Sequence, residues 1–413
     1  MRSTSYRCGL DFGTSNSVIT ITDIKTKKVL FTHSDKSILY FPAIKGANCI
    51  VGSKAEEMFV EDNLKGRLLK SIKTILKQEN FKYTWINGEQ FTPEDLVSFI
   101  IAHFKKIAEE FLNDEISDVI LGRPALFSEE NDLENLATER LMNAAKKAGF
   151  KNITLHFEPV AAAFSYEVNL TKDEKVLIAD FGGGTSDFSI MNLSKNNIFN
   201  TNRNSDIIAY GGLYIGGDLF DSEIMWHKVS PSLGKGLTYR TYNKEIEIPS
   251  IIYSELKHWE RSFQLKESKL RKSLDKYYVF SGQNKKIDNL RVLIDSNNIY
   301  SLYKVIEQSK IDLSTKSESK ITFQCNELYI NDLITLAEFD KMINKHTSKI
   351  QSYLIDLMDN NNVSPKDIDA VFITGGSSSV VSIKNIFTKL FDIQKIHMGD
   401  AFNSVSYGLS LIN

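Results

Sequence analysis

Cysteine is scarce. The three residues, Cys8, Cys49 and Cys325, lie far apart, and no Cys-x-x-Cys or mixed Cys/His metal spacing is present. That excludes a disulfide framework and points to a reducing compartment. Only seven prolines occur, with no Pro-rich or Gly/Ser-rich linker, so a string of separate beads gives way to intertwined lobes. No apolar run approaches the roughly 20 residues of a membrane helix, and the polar segment 1–7 leads straight into a strand-like run, so no signal peptide is expected. The net charge of -2 gives no basic excess for nucleic acid or an anionic membrane. A cytoplasmic protein is the expectation. The seven histidines are scattered and none pairs with a Ser or Cys nucleophile, so they receive no role. Gly-x-x-x-x-Gly-Lys-Ser/Thr and Gly-x-Gly-x-x-Gly are both missing, which removes the P-loop and Rossmann classes. Asp-Phe-Gly occurs twice, but without the His-Arg-Asp loop of a protein kinase.

What is present is an ordinary globular balance, 42% hydrophobic and 25% charged over 413 residues, enough for large cores. Arg7 to Thr22 reads as two β-runs around a Gly-Thr-Ser turn. Pro93 to Leu112 reads as a helix, with Thr92 as cap, Asp95 completing a capping box and Pro93 at the first position; Leu96, Phe99, Ile100, Ile107 and Phe111 are predicted to share its apolar face. Val119 to Gly122 is a strand, followed by a helix to Ala148 that Gly149 ends. Val176–Ala179 and Ala370–Thr374 are apolar runs of the kind buried on both faces. Strands alternating with helices indicate α/β with mixed sheets, and 257–310 reads as a charged, helical periphery.

One repeat organises the chain. Asp11-Phe12-Gly13-Thr14-Ser15 returns as Asp180-Phe181-Gly182-Gly183-Gly184-Thr185-Ser186-Asp187. A tight turn of Gly, Ser and Thr between two strands can aim backbone N–H groups at phosphate oxygens, and Asp11 and Asp180 stand where a divalent cation would offset the charge. Either turn alone is as readily an ordinary hairpin; the pair argues for a duplicated domain. A third element, Val371-Phe372-Ile373-Thr374-Gly375-Gly376-Ser377-Ser378-Ser379 leading into a helix through 380–387, would add a helix N-terminus.

In this order and spacing the three motifs resemble the nucleotide-binding domain of the 70-kDa heat-shock chaperone (DnaK-type) family, within the actin-like ATPase superfamily. Phe157-Glu158-Pro159-Val160-Ala161-Ala162-Ala163 and Gly216-Gly217-Asp218-Leu219-Phe220-Asp221 add to the match, as do Glu307, Lys310 and Ser314. Gly122-Arg123-Pro124 makes it most similar to the short YegD-like branch. The resemblance, over about 8–408, implies a duplicated actin-like (ribonuclease H-like) α/β fold with two lobes around a nucleotide cleft. Lobe I would be 1–188, with core 1–40 and 117–188 and periphery 41–116. Lobe II would be 189–413, with core 189–228 and 315–413 and periphery 229–314. No C-terminal peptide-binding domain is expected.

By the same resemblance the chain is an ATP/ADP- and magnesium-binding, ATP-hydrolysing, chaperone-like protein with client or co-chaperone partners. Asp11, Asp180 and Asp187 would surround magnesium. Gly13, Thr14, Ser15 and Asn16 would hold phosphate oxygens, with Gly182, Gly183, Gly184 and Thr185 opposite. Gly216, Gly217, Asp218, Glu307, Lys310, Ser314, Gly375, Gly376, Ser377, Ser379 and Asp400 would serve the remaining nucleotide. Lys73 would be the catalytic lysine, with Lys70 and Lys77 as rivals. Glu158 would orient the attacking water or be a structural acid, and Thr185 and Asp187 complete the catalytic set. Ser379 replaces the family's adenine-stacking arginine, and the loop after Pro124 is acidic (Glu129, Glu130, Asp132, Glu134). A small-molecule kinase of the same fold and a nucleotide-dependent filament or scaffold are the alternatives.

Overall fold

The two hairpins fold as their turn chemistry predicts, and each grows into a five-stranded sheet. The computed structural model describes residues 6–195, 204–242, 244–257, 265, 268–296, 298–399 and 403–412. Strands β1 (Tyr6–Asp11), β2 (Asn16–Asp23) and β3 (Val29–Lys36) form an antiparallel meander. β4 (Asp118–Arg123) joins β1 in parallel and β5 (Asn152–Phe157) joins β4, giving the order β3-β2-β1-β4-β5.

The second sheet repeats this plan. β6 (Glu174–Phe181), β7 (Ser186–Leu193) and β8 (Ile207–Leu213) are antiparallel neighbours. β9 (Ala370–Thr374) and β10 (Ile396–Met398) add in parallel, in the order β8-β7-β6-β9-β10. The sequence repeat is therefore a repeat of sheet topology.

Helix α1 (Pro93–Leu112) starts as its sequence demands. The Asp95 amide donates to the Thr92 hydroxyl at 3.3 Å, and Asp95 Oδ2 accepts from the Thr92 amide at 2.8 Å, an arrangement worth about 1 kcal/mol. Its buried face differs from the predicted one. Leu96, Val97, Ile100, Ile101, Phe104 and Ala108 are buried, whereas Ile107 is half-buried and Phe111 is 51% exposed, stacked on Phe31 with ring centroids 4.5 Å apart. Helix α2 (Asn131–Lys147) packs beside it, and Gly149 at φ 95° ends that segment. Both cover the first sheet and share a core with Leu10, Ile19, Ile21 and Leu121.

Helices α3 (Glu158–Glu167) and α4 (Ser404–Leu411) meet through small residues. A Cβ on Gly408 would lie 1.7 Å from the Ala161 carbonyl oxygen, so only glycine permits this approach. Val160, Ala163, Val176, Ile178, Phe372 and Leu409 form the core around them.

Two compact units emerge: Met1–Gly217 with Lys349–Ser378 and Asn385–Asn413, and Asp218–Ser348 with Ser379–Lys384. Both five-stranded sheets belong to the first. The second holds the antiparallel hairpin Glu318–Cys325/Leu328–Thr335 and the helices Ser268–Phe280, Lys285–Asp295 and Ile299–Asp312. Among the described residues no helix is long and apolar enough to cross a membrane.

Candidate functional site

Parallel strands end together, and ligands in such sheets bind beyond their carboxyl ends. β1 ends on Asp11. β5 runs parallel to β4 and hands over to α3 at Glu158, where Pro159 suits the first turn and an acid is stabilised by the helix N-terminus. In the second sheet Asp180 pairs with Thr374 of β9 and, across the hairpin, with Asp187. Four acids thus come to strand ends by register alone.

The glycine turns between them converge within the first unit. A Cβ on Gly184 would lie 2.9 Å from Thr14 Oγ1, so the turns of the two hairpins touch. Gly375, at φ 84°, approaches the second turn: a Cβ there would lie 2.4 Å from the Phe181 carbonyl oxygen and 2.5 Å from Asp180 Oδ1. Ser377 Oγ donates to the Gly182 carbonyl at 2.9 Å, and the Gly217 amide donates to the same carbonyl at 3.1 Å. Gly13–Asn16, Gly182–Thr185, Gly216–Gly217 and Gly375–Ser377 are therefore neighbours. The third turn departs from expectation in one respect. Gly376–Ser379 is a 3-10 turn and the α-helix begins at Val381, so the turn is not itself the helix N-terminus.

Charge is concentrated here. Lys73 follows Ser71, whose φ is 55°, on a 3-10 turn over Ile72–Lys77. Its ammonium lies 2.6 Å from Glu158 Oε1, and both side chains are buried. Burial alone would lower the Lys73 pKa, but Glu158 and Asp11 outweigh it and leave it raised. Burial, then Glu158, pushes Asp11 up to about 8 against the pull of Lys73. Burial and the neighbouring acids Asp11, Glu158 and Asp187 hold Asp180 well above the ordinary range. Asp187 is pushed up to about 7 by burial and Glu158, opposed by hydrogen bonds that include one from the Ala125 amide at 3.1 Å. One ammonium among four carboxyls, of which Glu158 and Asp187 are buried and Asp11 and Asp180 half-buried, is short of positive charge.

The donor set suits a hard divalent cation, which takes oxygen ligands. Among the described residues, no three of these acids bring ligand atoms within 4.8 Å of one another. That spacing fits an ion that keeps several of its own waters.

Other predicted residues lie elsewhere. Lys77 sits over the Tyr214 ring and burial lowers it to about 8. Glu307 and Lys310 are on the helix Ile299–Asp312, and Ser314 is past its end rather than on its face. Lys310 is 9% exposed and pairs with Asp221 at 2.7 Å. Ser314 Oγ lies 3.4 Å from Ser379 Oγ. These residues and Asp218 belong to the second unit; Asp400 lies outside the described residues. Sequence reasoning missed the Ala125 amide and the partnership of Asp221, although both flank motifs it had singled out. The acidic loop also holds its own backbone in place. Glu134 accepts from the Phe127 and Ser128 amides at 2.6 and 3.0 Å and pairs with Arg123.

A family model described as Hsp70 protein matches residues 7–235 and 275–412. Among curated proteins, the chain is 26% identical over 403 residues to a chaperone protein DnaK of Thermosipho melanesiensis, covering 94% of this chain and 55% of the relative. It is 24% identical over 402 residues to the DnaK of Thermosipho africanus, with 94% and 55% covered. It is 23% identical over 414 residues to a mitochondrial heat shock 70 kDa protein of Pisum sativum, with 93% and 51% covered. The chain spans about half the length of these relatives.

Proposed function

Because the chain belongs to the Hsp70 family and so has the actin-like ATPase fold, we propose that it binds ATP with magnesium at the converging turns of its first compact unit and hydrolyses it slowly. The observation that supports this most is the Lys73–Glu158 pair among Asp11, Asp180 and Asp187, beside two touching glycine-hydroxyl turns. Turn amides and the hydroxyls of Thr14, Ser15 and Thr185 suit β- and γ-phosphate oxygens.

Asp11, Asp180 and Asp187 would hold magnesium through its waters, and the ion supplies charge neutralisation of the triphosphate. Phosphoryl transfer asks mainly for positioning and electrostatics. Lys73 offers its ammonium to the γ-phosphate oxygens, and Glu158 orients the attacking water and keeps Lys73 in place. The division into lobe I (1–188) and lobe II (189–413) belongs to the same proposal. So do the nucleotide-binding assignments of Gly216, Gly217, Asp218, Glu307, Lys310, Ser314, Gly375, Gly376, Ser377 and Ser379, and protein clients or co-chaperones as partners.

Titration calorimetry with ATP and ADP, each with and without magnesium, tests the reading. Saturable, magnesium-strengthened binding is expected; no heat of binding at millimolar nucleotide would discard it.

A further inference from the structure

Histidine carried no role in the sequence, but β3 and α1 bring two histidines to one acid. His33 and Asp35 alternate with exposed Thr32 and Ser34 along β3, so both side chains leave the same face of the sheet. His103 on α1 meets them there. One ligand atom from each of His33, Asp35 and His103 lies within 4.8 Å of the other two. All three residues belong to the first compact unit.

The polar atoms at this point are poorly satisfied. Nε2 of His33 and Nε2 of His103 are both shielded from solvent and without a hydrogen-bond partner, a condition that costs free energy unless something occupies the gap. His103 Nε2 is 3.6 Å from Asp35 Oδ2, too far for a direct hydrogen bond.

The carboxylate is oriented by its other oxygen. Asp35 Oδ1 accepts from the Ser53 amide at 2.8 Å, the Ser53 hydroxyl at 2.5 Å and the Lys36 amide at 2.7 Å. Outer hydrogen bonds of this kind fix metal ligands. Burial works against ionisation of Asp35, but His103, Ser53 and the Lys36 amide outweigh it and hold the carboxyl below its usual range. The rings are fixed too: Phe104 lies 5.8 Å from His33 and 5.6 Å from His103 by ring centroids. The His103 side chain is 28% exposed, so the cluster lies near the protein surface.

We propose that His33, Asp35 and His103 form a second cation site, separate from the nucleotide site, that binds a divalent transition ion of the zinc class through both Nε2 atoms and Asp35 Oδ2. Two imidazoles and one carboxylate suit zinc, nickel or iron(II) and not magnesium, and three protein ligands leave positions for water. A bound ion ties β3 to α1 and, through the Ser53 hydrogen bonds, to the start of the helix Ser53–Glu61.

The test is calorimetric titration of the untagged, chelator-dialysed full chain with zinc alone, in excess magnesium. One saturable equivalent is expected, with a rise in melting temperature. Binding at least about tenfold weaker is expected in the His33→Gln/His103→Gln double variant. No saturable equivalent in the parent, or equal affinity in the two proteins, overturns the proposal. Should the double variant fail to fold, copper(II) bound at one equivalent to the parent is read by electron paramagnetic resonance. Coupling to two imidazole nitrogens supports the site, and coupling to none or to one overturns it.

Discussion

Each compact unit buries a lysine against a carboxylate, and the contacts are nearly equal in length: 2.6 Å for Lys73–Glu158 in the first unit and 2.7 Å for Lys310–Asp221 in the second. Their surroundings differ. Lys73 also faces the charge of Asp11 and Asp187, and Asp180 belongs to the same group of interacting acids. Asp221 is raised only to about 6, by burial, with Lys310 as its main counterweight. Leaving an ionised group buried and unpaired costs on the order of 3–5 kcal/mol. The first unit therefore gathers acids that keep their protons near neutral pH unless a cation takes up their charge, whereas in the second a single lysine faces a single acid, whose other oxygen, Asp221 Oδ1, has no hydrogen-bond partner among the described residues. Charge left over after pairing is the feature that singles out the first pair as a candidate for cation chemistry.

Breaking each pair should read out differently. The largest effect is expected for Lys73→Ala. Under the proposed function, turnover falls about a hundred- to a thousandfold, the cost of removing one preorganised transition-state donor, while calorimetry shows nucleotide binding largely intact. Unchanged turnover would move the role to Lys70 or Lys77. The next effect belongs to Lys310→Ala, which leaves the Asp221 carboxyl buried alone. It should lower stability by about 3 kcal/mol in urea unfolding at neutral pH, and Lys310→Met with Asp221→Leu should recover most of that. If Lys310→Ala instead leaves unfolding unaltered, the contrast between the two pairs fails.

The hairpins are the most legible part of the sequence, because their turns carry glycine and hydroxyl residues where strand pairing has to stop. Asp11 to Val18 and Asp180 to Asp187 run the same length, and the register pairs Asp11 with Val18 and Asp180 with Asp187. The copies share a backbone plan, but only the second places an acid on both strands. The helix start at Thr92 is equally local and equally readable. The apolar face of α1 is not, because 96, 97, 100, 101, 104 and 108 compete with 99, 107 and 111 at helical spacing, and the packed sheet decides between them. Contacts across long separations are also hidden: Ala125 to Asp187, Ser377 to Gly182, and His103 to Asp35 arise from sheet order, which no local pattern encodes.

The smallest effect is a pH dependence, and it separates the units most sharply. Asp11 and Asp187 are raised from 3.8 to about 8 and about 7, and Asp221 to about 6. A carboxyl raised on folding binds its proton more tightly in the native chain than in the unfolded one. Its contribution to stability is complete below the unfolded value and fades as pH rises through the folded one. Asp221 has given up most of its share by about pH 7. Between about pH 7 and 8.5 the remaining decline belongs to the first unit. Without magnesium or nucleotide, melting temperature should therefore fall across that window. Asp11→Asn should make the fall shallower, since the amide has no proton to lose, with Asp180, also held above the ordinary range, carrying the rest; Asp221→Asn should leave it as in the parent. If Asp221→Asn flattens the curve and Asp11→Asn does not, the unbalanced charge lies in the second unit, and the case for a cation among Asp11, Asp180 and Asp187 goes with it.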